Sequence, residues 1–354
     1  MKLHLVGGFL GSGKTTAIIQ AARLLMREGQ RVGVVTNDQG KYLVDTAFVR
    51  LADIPAVEVT GGCFCCNYND LDSSLDQLIA SAKPDVIFAE SVGSCADLVA
   101  TVVKPLIDLK QNVGRPTSFS VFTDGRMLRR RLRDDPMPFS DDVVYIYDKQ
   151  IEEAGLVIVN KIDLMAEKSQ EETMRLLKER YPDKALLSQS SLSAEGVAPW
   201  LAKLESGIGL LPEKSLEIDY QRYGHGEAQL AWLDETVRLH GADSALAIRR
   251  IISTILDALK ARGAAIGHLK YLLQAEGFEG KISFPTLDEP GWESILPVRL
   301  EGEVVLTVNA RVEMPADELR SLFQESLRQA NVEYREDGIS YFHPKQPSPT
   351  YRYA

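Results

Sequence analysis

Gly8-Phe9-Leu10-Gly11-Ser12-Gly13-Lys14-Thr15 fills every fixed position of G-x-x-x-x-G-K-S/T, with an apolar run, Lys2–Val6, before it and an amphipathic one, Lys14–Glu28, after it. Glycines let backbone N–H groups turn inward around an anion, and the helix that follows adds its positive dipole end. Lys14 is spaced to reach β- and γ-phosphates, and the Thr15 hydroxyl to ligate Mg²⁺. The expected phosphate-binding set is therefore Gly8, Gly11, Ser12, Gly13, Lys14, Thr15 and Thr16. The bland alternative is a glycine-rich turn that merely starts a helix.

Outward from this loop, short apolar runs alternate with longer amphipathic ones, the pattern of an α/β protein with a parallel sheet and helices on both faces. Strands are predicted at Lys2–Val6, Arg31–Thr36, Ala56–Thr60, Asp85–Ala89, Ser118–Thr123, Leu156–Asn160 and Ala185–Ser188. Helices are predicted at Lys14–Glu28, Asp70–Ala82, Ala96–Leu109, Asp141–Ala154, Glu167–Arg180 and Val197–Glu205. Segments such as Val86-Ile87-Phe88-Ala89 are apolar on both faces, as a covered parallel sheet requires. Glu90 ends one such strand, where the Mg²⁺ shell and an attacking water belong, so Glu90 joins Lys14 as a catalytic candidate. Asp124 ends the next strand, either in a similar role or as a helix cap.

Val157–Asp163 is an apolar strand ending in N-K-x-D. A carboxylate at Asp163 can accept hydrogen bonds from guanine N1–H and its exocyclic amine, a pair adenine lacks, which points to GTP over ATP. Asn160 can bond the base edge, and the Lys161 stem can lie over the ring. Ser190–Gly196, after the next strand, can close over the base through Ser190-Ser191 or Ser193-Ala194.

Three of the four cysteines, Cys63, Cys65 and Cys66, crowd one glycine-led loop, Gly61-Gly62-Cys63-Phe64-Cys65-Cys66. Thiols so close can converge on one ion, and thiolates suit Zn²⁺ or another divalent transition metal. The fourth position is open to Cys95, a carboxylate, water or a client protein. The competing readings are a vicinal disulfide, a redox sensor or simple packing, and for Cys95 a small packed residue. The five histidines are scattered and none forms a ligand pair by spacing.

The net charge of −10, without a long Lys/Arg run, argues against binding nucleic acid or an anionic membrane. The N-terminus lacks the continuous apolar core of a secretory signal. No stretch approaches the ~18–20 apolar residues of a membrane span. The chain is read as cytoplasmic and reduced, where clustered cysteines favour metal chemistry over disulfides. At ~150 residues per domain the length suggests about two domains. These are placed at 1–205, a linker at 206–226, and a C-terminal α+β domain at 227–343. Residues 344–354 form a loosely ordered tail. Strands at Ala228–Leu239, Ala265–Ala275, Val304–Glu313 and Val332–Phe342, with helices at Asp243–Arg262 and Ala316–Ala330, give the second domain a ferredoxin-like order.

Taken in order, the glycine loop, Cys-x-Cys-Cys, Glu90 with Gly93, and N-K-x-D resemble the CobW family, which stands with the HypB and UreG metallochaperones among P-loop GTPases. The resemblance covers Met1 to about Glu205. The remainder resembles the CobW C-terminal domain in size and element order. It implies a protein that binds GTP or GDP with Mg²⁺, hydrolyses GTP slowly, holds zinc or another divalent metal at the cysteines, and delivers it to a client protein. Asn37-Asp38-Gln39-Gly40-Lys41 stands where members often carry N-E-x-G-E. Asp38 keeps an acid for Mg²⁺ or an accessory ion, while Lys41 replaces a second carboxylate. Val92 replaces a commoner Thr, and a His-rich stretch is missing between the domains. The rival function is a GTPase that gates loading of a corrinoid-type cofactor, with the cysteine loop structural or redox. A third is a non-hydrolysing regulatory module.

Overall fold

Lys2–Gly8 forms β1, the middle strand of a seven-stranded parallel sheet with order β3-β2-β4-β1-β5-β6-β7. The computed structural model describes residues 1–40, 44–110, 115–207, 209–241, 244–300 and 302–353. After β1 come α1 (Lys14–Arg27), β2 (Val32–Asn37), α2 (Val44–Arg50), β3 (Ala56–Val59) and α3 (Tyr68–Ala82). There follow β4 (Val86–Glu90), α4 (Lys104–Leu109), β5 (Pro116–Asp124), α5 (Gly125–Leu132) and α6 (Asp141–Glu153). The run ends with β6 (Leu156–Asn160), α7 (Glu167–Arg180), β7 (Ala185–Ser188), α8 (Ala194–Ser206) and α9 (Tyr220–Gln229). Every residue of β2, β4 and β6 is buried, so both faces of the sheet are covered and the strands read as unbroken apolar runs.

Register explains why the motifs converge. Val6 pairs with Glu90, Gly8 with Phe122, and Asp124 with Asn160, so the carboxyl ends of β1, β4, β5 and β6 line one edge of the sheet. That edge is where an open α/β sheet binds ligands. Trp200 of α8 is fully buried, packs tilted against Phe88 and edge-on to Phe122, and donates from Nε1 to Ser120 Oγ at 3.1 Å. A buried aromatic of this size stabilises by roughly 2–3 kcal/mol, and here it fixes α8 against the strands that carry the site.

The chain divides into two units, Met1–Gln39 with Asp45–Gly226 and Gln346–Ala354, and Gly40–Val44 with Glu227–Lys345. In the second, β8 (Leu230–His240), α10 (Ser244–Arg262), β9 (Ile266–Ala275), β10 (Phe278–Phe284), β11 (Glu303–Glu313), α11 (Ala316–Gln329) and β12 (Glu333–Phe342) follow in order. The antiparallel sheet runs β10-β9-β11-β8-β12, the expected split βαβ arrangement extended by β10 at one edge. Val304, Leu306, Val308, Ala310 and Val312 alternate inward from β11 and meet Ile248, Ile251, Ile252, Ile255 and Leu259 of α10. On the sheet's other face Arg311 and Asp234 form a 2.7 Å ion pair with both side chains fully buried, and Arg311 lies 3.8 Å over the Trp232 ring. Gly40 belongs here because a Cβ would meet Asp234 Oδ2 at 1.8 Å.

Four differences from the sequence reading have physical causes. Short α5 is capped by Asp124 and carries almost no apolar residues between its arginines, so periodicity does not reveal it. Strand β10 exists by pairing along β9. Within the expected linker 206–226, Tyr220 opens α9. Tyr223 packs on Ala96 and Ile146, and Gly226 is required because a Cβ would meet Asp142 O at 2.4 Å. Finally, the expected loose tail is hydrogen-bonded into the first unit, as described below. Lys41 lies outside the described residues.

Candidate functional site

The glycine loop joins β1 to α1. Gly8 has φ +126°, and a Cβ there would lie 2.1 Å from Phe122 O, so only glycine permits this approach of β1 to β5. Gly13, at φ +90°, ends the loop, and a Cβ would lie 2.5 Å from Asn160 Nδ2. Lys14 Nζ curls back to donate to Gly8 O at 2.8 Å and Phe9 O at 3.3 Å. Thr15 Oγ1 donates to Glu90 Oε1 at 2.9 Å. The Ser12 hydroxyl is buried and makes no hydrogen bond among the described residues. Thr16 is half-buried on the first turn of α1.

At the end of β6, Asn160 Nδ2 donates to Ser12 O at 2.8 Å, while Asn160 Oδ1 accepts from Ser191 Oγ at 2.7 Å. Asn160 therefore ties the base-side loops to the phosphate loop. This also separates the two serine pairs: Ser191 reaches Asn160, whereas Ser193 Oγ accepts from Gly196 N at 3.2 Å and caps α8. Lys161 is left-handed at φ +62°, and its Nζ lies 3.2 Å from Asp124 Oδ2. Asp124 also accepts from Arg126 N at 2.9 Å as the cap of α5. Burial acts to raise the Asp124 carboxyl, but the Arg126 hydrogen bond and the Lys161 and Arg126 charges hold it below the usual carboxylate range. Asp163 is exposed on the one-turn helix Ile162–Leu164, open to solvent as a base-reading carboxylate must be.

The cysteine loop leaves β3 and is clamped from β2. Asn37 Nδ2 donates to Val59 O at 3.0 Å and Gly62 O at 2.7 Å, and its Oδ1 accepts from Phe64 N at 2.8 Å. Cys66 N and Asn67 N both donate to Cys63 O, at 3.0 and 2.9 Å, closing a turn that folds the thiols together. The Sγ atoms are 2.7 Å (Cys63–Cys65), 3.3 Å (Cys63–Cys66) and 3.7 Å (Cys65–Cys66) apart. Cys63 and Cys65 are buried, Cys66 is half-buried, and all four cysteines are free thiols. Cys95 is buried as well, but it does not join the compact group of Cys63, Cys65 and Cys66. Hydrogen bonds from Cys65, Cys66 and Cys95 hold the Cys63 thiol well below its ordinary range. The Cys63 partnership pushes Cys65 well up and Cys66 to about 11. Burial raises the Glu58 carboxyl against a hydrogen bond from Thr46 and the charge of Arg50, and the charge of Asp38, next to the Asn37 clamp, adds a smaller push upward. Among the described residues no histidine or carboxylate shares a compact ligand group with the thiols.

Residues 346–353 complete the site from outside the loop. Ser348 N donates to Cys66 Sγ at 3.3 Å. Thr350 N donates to Cys65 O and Thr350 Oγ1 to Cys66 O, both at 2.9 Å. The segment is anchored by Tyr351 edge-on to Tyr68, by Arg352 Nε to Asp97 Oδ2 at 2.8 Å, and by Tyr353 N to Ala100 O at 2.9 Å.

Asn37 and residues 348–350 are contributors that sequence reasoning did not single out. A strand-terminal Asn is a weak signal. The tail offered none, because its partners are nearly the whole chain away.

The family profile described as "CobW/HypB/UreG, nucleotide-binding domain" matches residues 2–188. "Zinc chaperone YeiR" of Escherichia coli (strain K12) is 29% identical over 206 residues, which is 55% of this chain and 57% of that protein. "Zinc chaperone CobW" of Sinorhizobium sp is 27% identical over 182 residues, covering 45% and 50%. The matched part is thus about half the length of these curated relatives. Among solved structures, HypB from Helicobacter pylori in complex with nickel is similar at TM-score 0.40 and 18% identity, covering 61% of this chain and 92% of that one. The matched domain contains the glycine loop, the cysteine loop and N-K-x-D, and the chain belongs to the CobW/HypB/UreG family.

Proposed function

We propose that this chain is a GTP-dependent metal carrier, which binds and slowly hydrolyses GTP, holds zinc or another divalent transition metal as cargo, and hands it to a client protein. The observation that carries this reading is the group of Cys63, Cys65 and Cys66, whose sulfurs all lie within 4.8 Å of one another beside a complete nucleotide motif set. Two matched relatives are named zinc chaperones, and a third, from Dictyostelium discoideum, is named a zinc-regulated GTPase metalloprotein activator.

In this reading Lys14 leaves Gly8 O and Phe9 O for the phosphates, and Thr15 leaves Glu90 for Mg²⁺. Mg²⁺ supplies neutralisation of charge on the transferring phosphoryl group. Glu90, released from Thr15, orients the attacking water. Asp163 reads guanine, while Asn160 holds the phosphate loop to the base-side loops. Free loop geometry supports the exchange, since the bonds that Lys14 and Thr15 make here are the ones a nucleotide and its ion replace.

Metal binding requires displacing thiol protons, and only Cys63 is biased toward the thiolate before the ion arrives. The test is zinc affinity by chelator competition with a GTP analogue and with GDP. Tighter binding with the analogue is expected, and equal affinities sink the carrier cycle. Cys63→Ser separates the carrier from a cofactor-loading GTPase: it abolishes metal delivery in the first case and leaves partner activation intact in the second.

A further inference from the structure

We propose that the surface filled by residues 346–353 is the docking groove for the client, and that this segment occupies it until a client segment displaces it. This rests on the metal-carrier reading and adds the chemistry that a client must offer.

Gln346-Pro347-Ser348-Pro349-Thr350 alternates proline with residues that keep an N–H, so after Gln346 only Ser348 and Thr350 have main-chain donors in this run. Both point at the cysteine loop, Ser348 N to Cys66 Sγ at 3.3 Å and Thr350 N to Cys65 O at 2.9 Å. The prolines pre-set the backbone, so less entropy is lost when such a segment lies in a groove. The next three residues are side-chain anchors. Tyr351 meets Tyr68 edge-on with ring centroids 5.1 Å apart, Arg352 pairs with Asp97, and Tyr353 OH lies 3.1 Å from Asp108 Oδ2. Main chain for register and side chains for selectivity is how proteins recognise extended peptides.

Asp97 sets what the groove requires. Its side chain is 1% exposed, and its Oδ2 accepts from Tyr220 OH at 2.7 Å and from Arg352 Nε at 2.8 Å. Arg352 also donates from Nη2 to Leu216 O at 3.0 Å and lies 5.8 Å over the Tyr220 ring. A carboxylate so buried is costly without a cation beside it. Whatever replaces the segment must therefore bring a cation. A guanidinium fits best, because its fork serves the carboxylate and a carbonyl together and its plane suits the tyrosine ring. The client segment is thus extended, proline-interrupted, and carries an arginine flanked by aromatic residues.

Ser348, Thr350, Tyr351 and Arg352 all remain exposed, so the segment lies on the surface and leaves without opening the core. It also stands on the metal's way out. Cys66 is the half-buried thiol of the three, and Ser348 is hydrogen-bonded to it. A client ligand that reaches Cys66 by this face must first move Ser348, and a client segment seated in the same register puts its own residue there. In that exchange the metal–Sγ bond of Cys66 breaks and one bond to an incoming thiol or imidazole forms. An incoming thiol passes its proton to the departing Cys66 thiolate; with a neutral imidazole the thiolate takes a proton from water. The metal keeps its oxidation state.

The probe is the synthetic peptide Gln346–Tyr353, labelled with fluorescein. Anisotropy should report binding to the full chain carrying Tyr351→Ala and Arg352→Ala, whose own segment is unhooked. Binding to the unaltered chain should be at least about 10-fold weaker, because a tethered competitor acts at high effective concentration. The same peptide with Arg352→Glu should bind neither. Binding of the unaltered peptide to neither chain, or equally to both, overturns the groove. A dimer joined by exchanged segments, seen by light scattering, makes a second copy the occupant and overturns the client. The second arm uses the unaltered, zinc-loaded chain. A peptide with Ser348→Cys should speed zinc release to a chromogenic chelator several-fold over a scrambled peptide of the same composition, and equal rates overturn the transfer route. Failure of the unaltered chain to hold zinc at all overturns the metal-carrier reading itself, while the anisotropy still tests the groove.

Discussion

Asn37 Oδ1 accepts a 2.8 Å hydrogen bond from Phe64 N, and through it the end of β2 fixes the middle of the cysteine loop. Replacing Asn37 by Ala removes this bond together with the two that its amide donates to Val59 O and Gly62 O. Supporting groups around metal ligands are worth roughly 10–100-fold in affinity. Asn37→Ala should therefore weaken zinc binding by that order with all three loop thiols still present. Chelator competition measures it, and an unchanged affinity removes Asn37 from the site.

Glu90→Gln tests the hydrolytic assignment. The amide can still meet Thr15 Oγ1, so nucleotide affinity should hold while single-turnover hydrolysis slows by ~10²-fold or more. Equal rates would assign water activation elsewhere.

Asp163→Asn exchanges an acceptor for a donor at the exposed base-reading position. Guanine, whose N1–H and amine then face a donor, should lose ~10²-fold or more in affinity, while xanthine, with a carbonyl in place of the amine, gains. Fluorescent-nucleotide titration with GTP and XTP reads both arms, and an unchanged preference for GTP would count against the base site.

Arg352→Ala unhooks residues 346–353 from Asp97. Cys66, which accepts from Ser348 N, should then react several-fold faster with an alkylating reagent, while Cys63 and Cys65 remain slow. Peptide mass mapping of the alkylated sites distinguishes the three, and unchanged Cys66 reactivity would mean that the segment does not shield it.

His4 provides a stability signature on the acid side. Burial first, and the charge of Lys2 second, lower its pKa from 6.5 to about 4, with the ring bonded to Ser118 Oγ at 2.8 Å. The unfolded chain takes up this proton below pH 6.5 and the folded chain only near pH 4. Stability is therefore full above pH 6.5 and falls as the pH drops to about 4, by about 3 kcal/mol in total. Urea unfolding at pH 7, 5 and 4 should show this loss, and His4→Gln should flatten that part of the profile.

The first unit was legible because its information is local. A strand, a glycine loop and a helix start are adjacent in sequence, and a parallel sheet turns each strand end toward one edge. Glu90, Asn160 and Asp163 could be placed from the residues just before them. The ferredoxin-like order of the second unit followed likewise from alternation and helical spacing. What escaped was decided by partners distant in sequence. Asn37 looks like any strand-end amide until Phe64 is beside it. Short α5 and strand β10 have no periodicity of their own and depend on a cap and a neighbouring strand. Tyr351, Arg352 and Tyr353 sit in a proline-containing stretch whose composition suggests a loose end, yet each has a specific partner on the first unit.

The contacts of Ser348 and Thr350 with Cys65 and Cys66 also impose an order of events on biosynthesis. The cysteine loop emerges from the ribosome early, and its cover emerges only after the whole second unit has been translated. A half-made chain carries bare, closely spaced thiols with nothing over them, at the stage when nascent chains are most exposed to stray ions and oxidants. A contact of such sequence separation bears a larger loop-closure entropy than a local one. A finished chain is thereby distinguished from an unfinished one at the very residues proposed to hold the cargo.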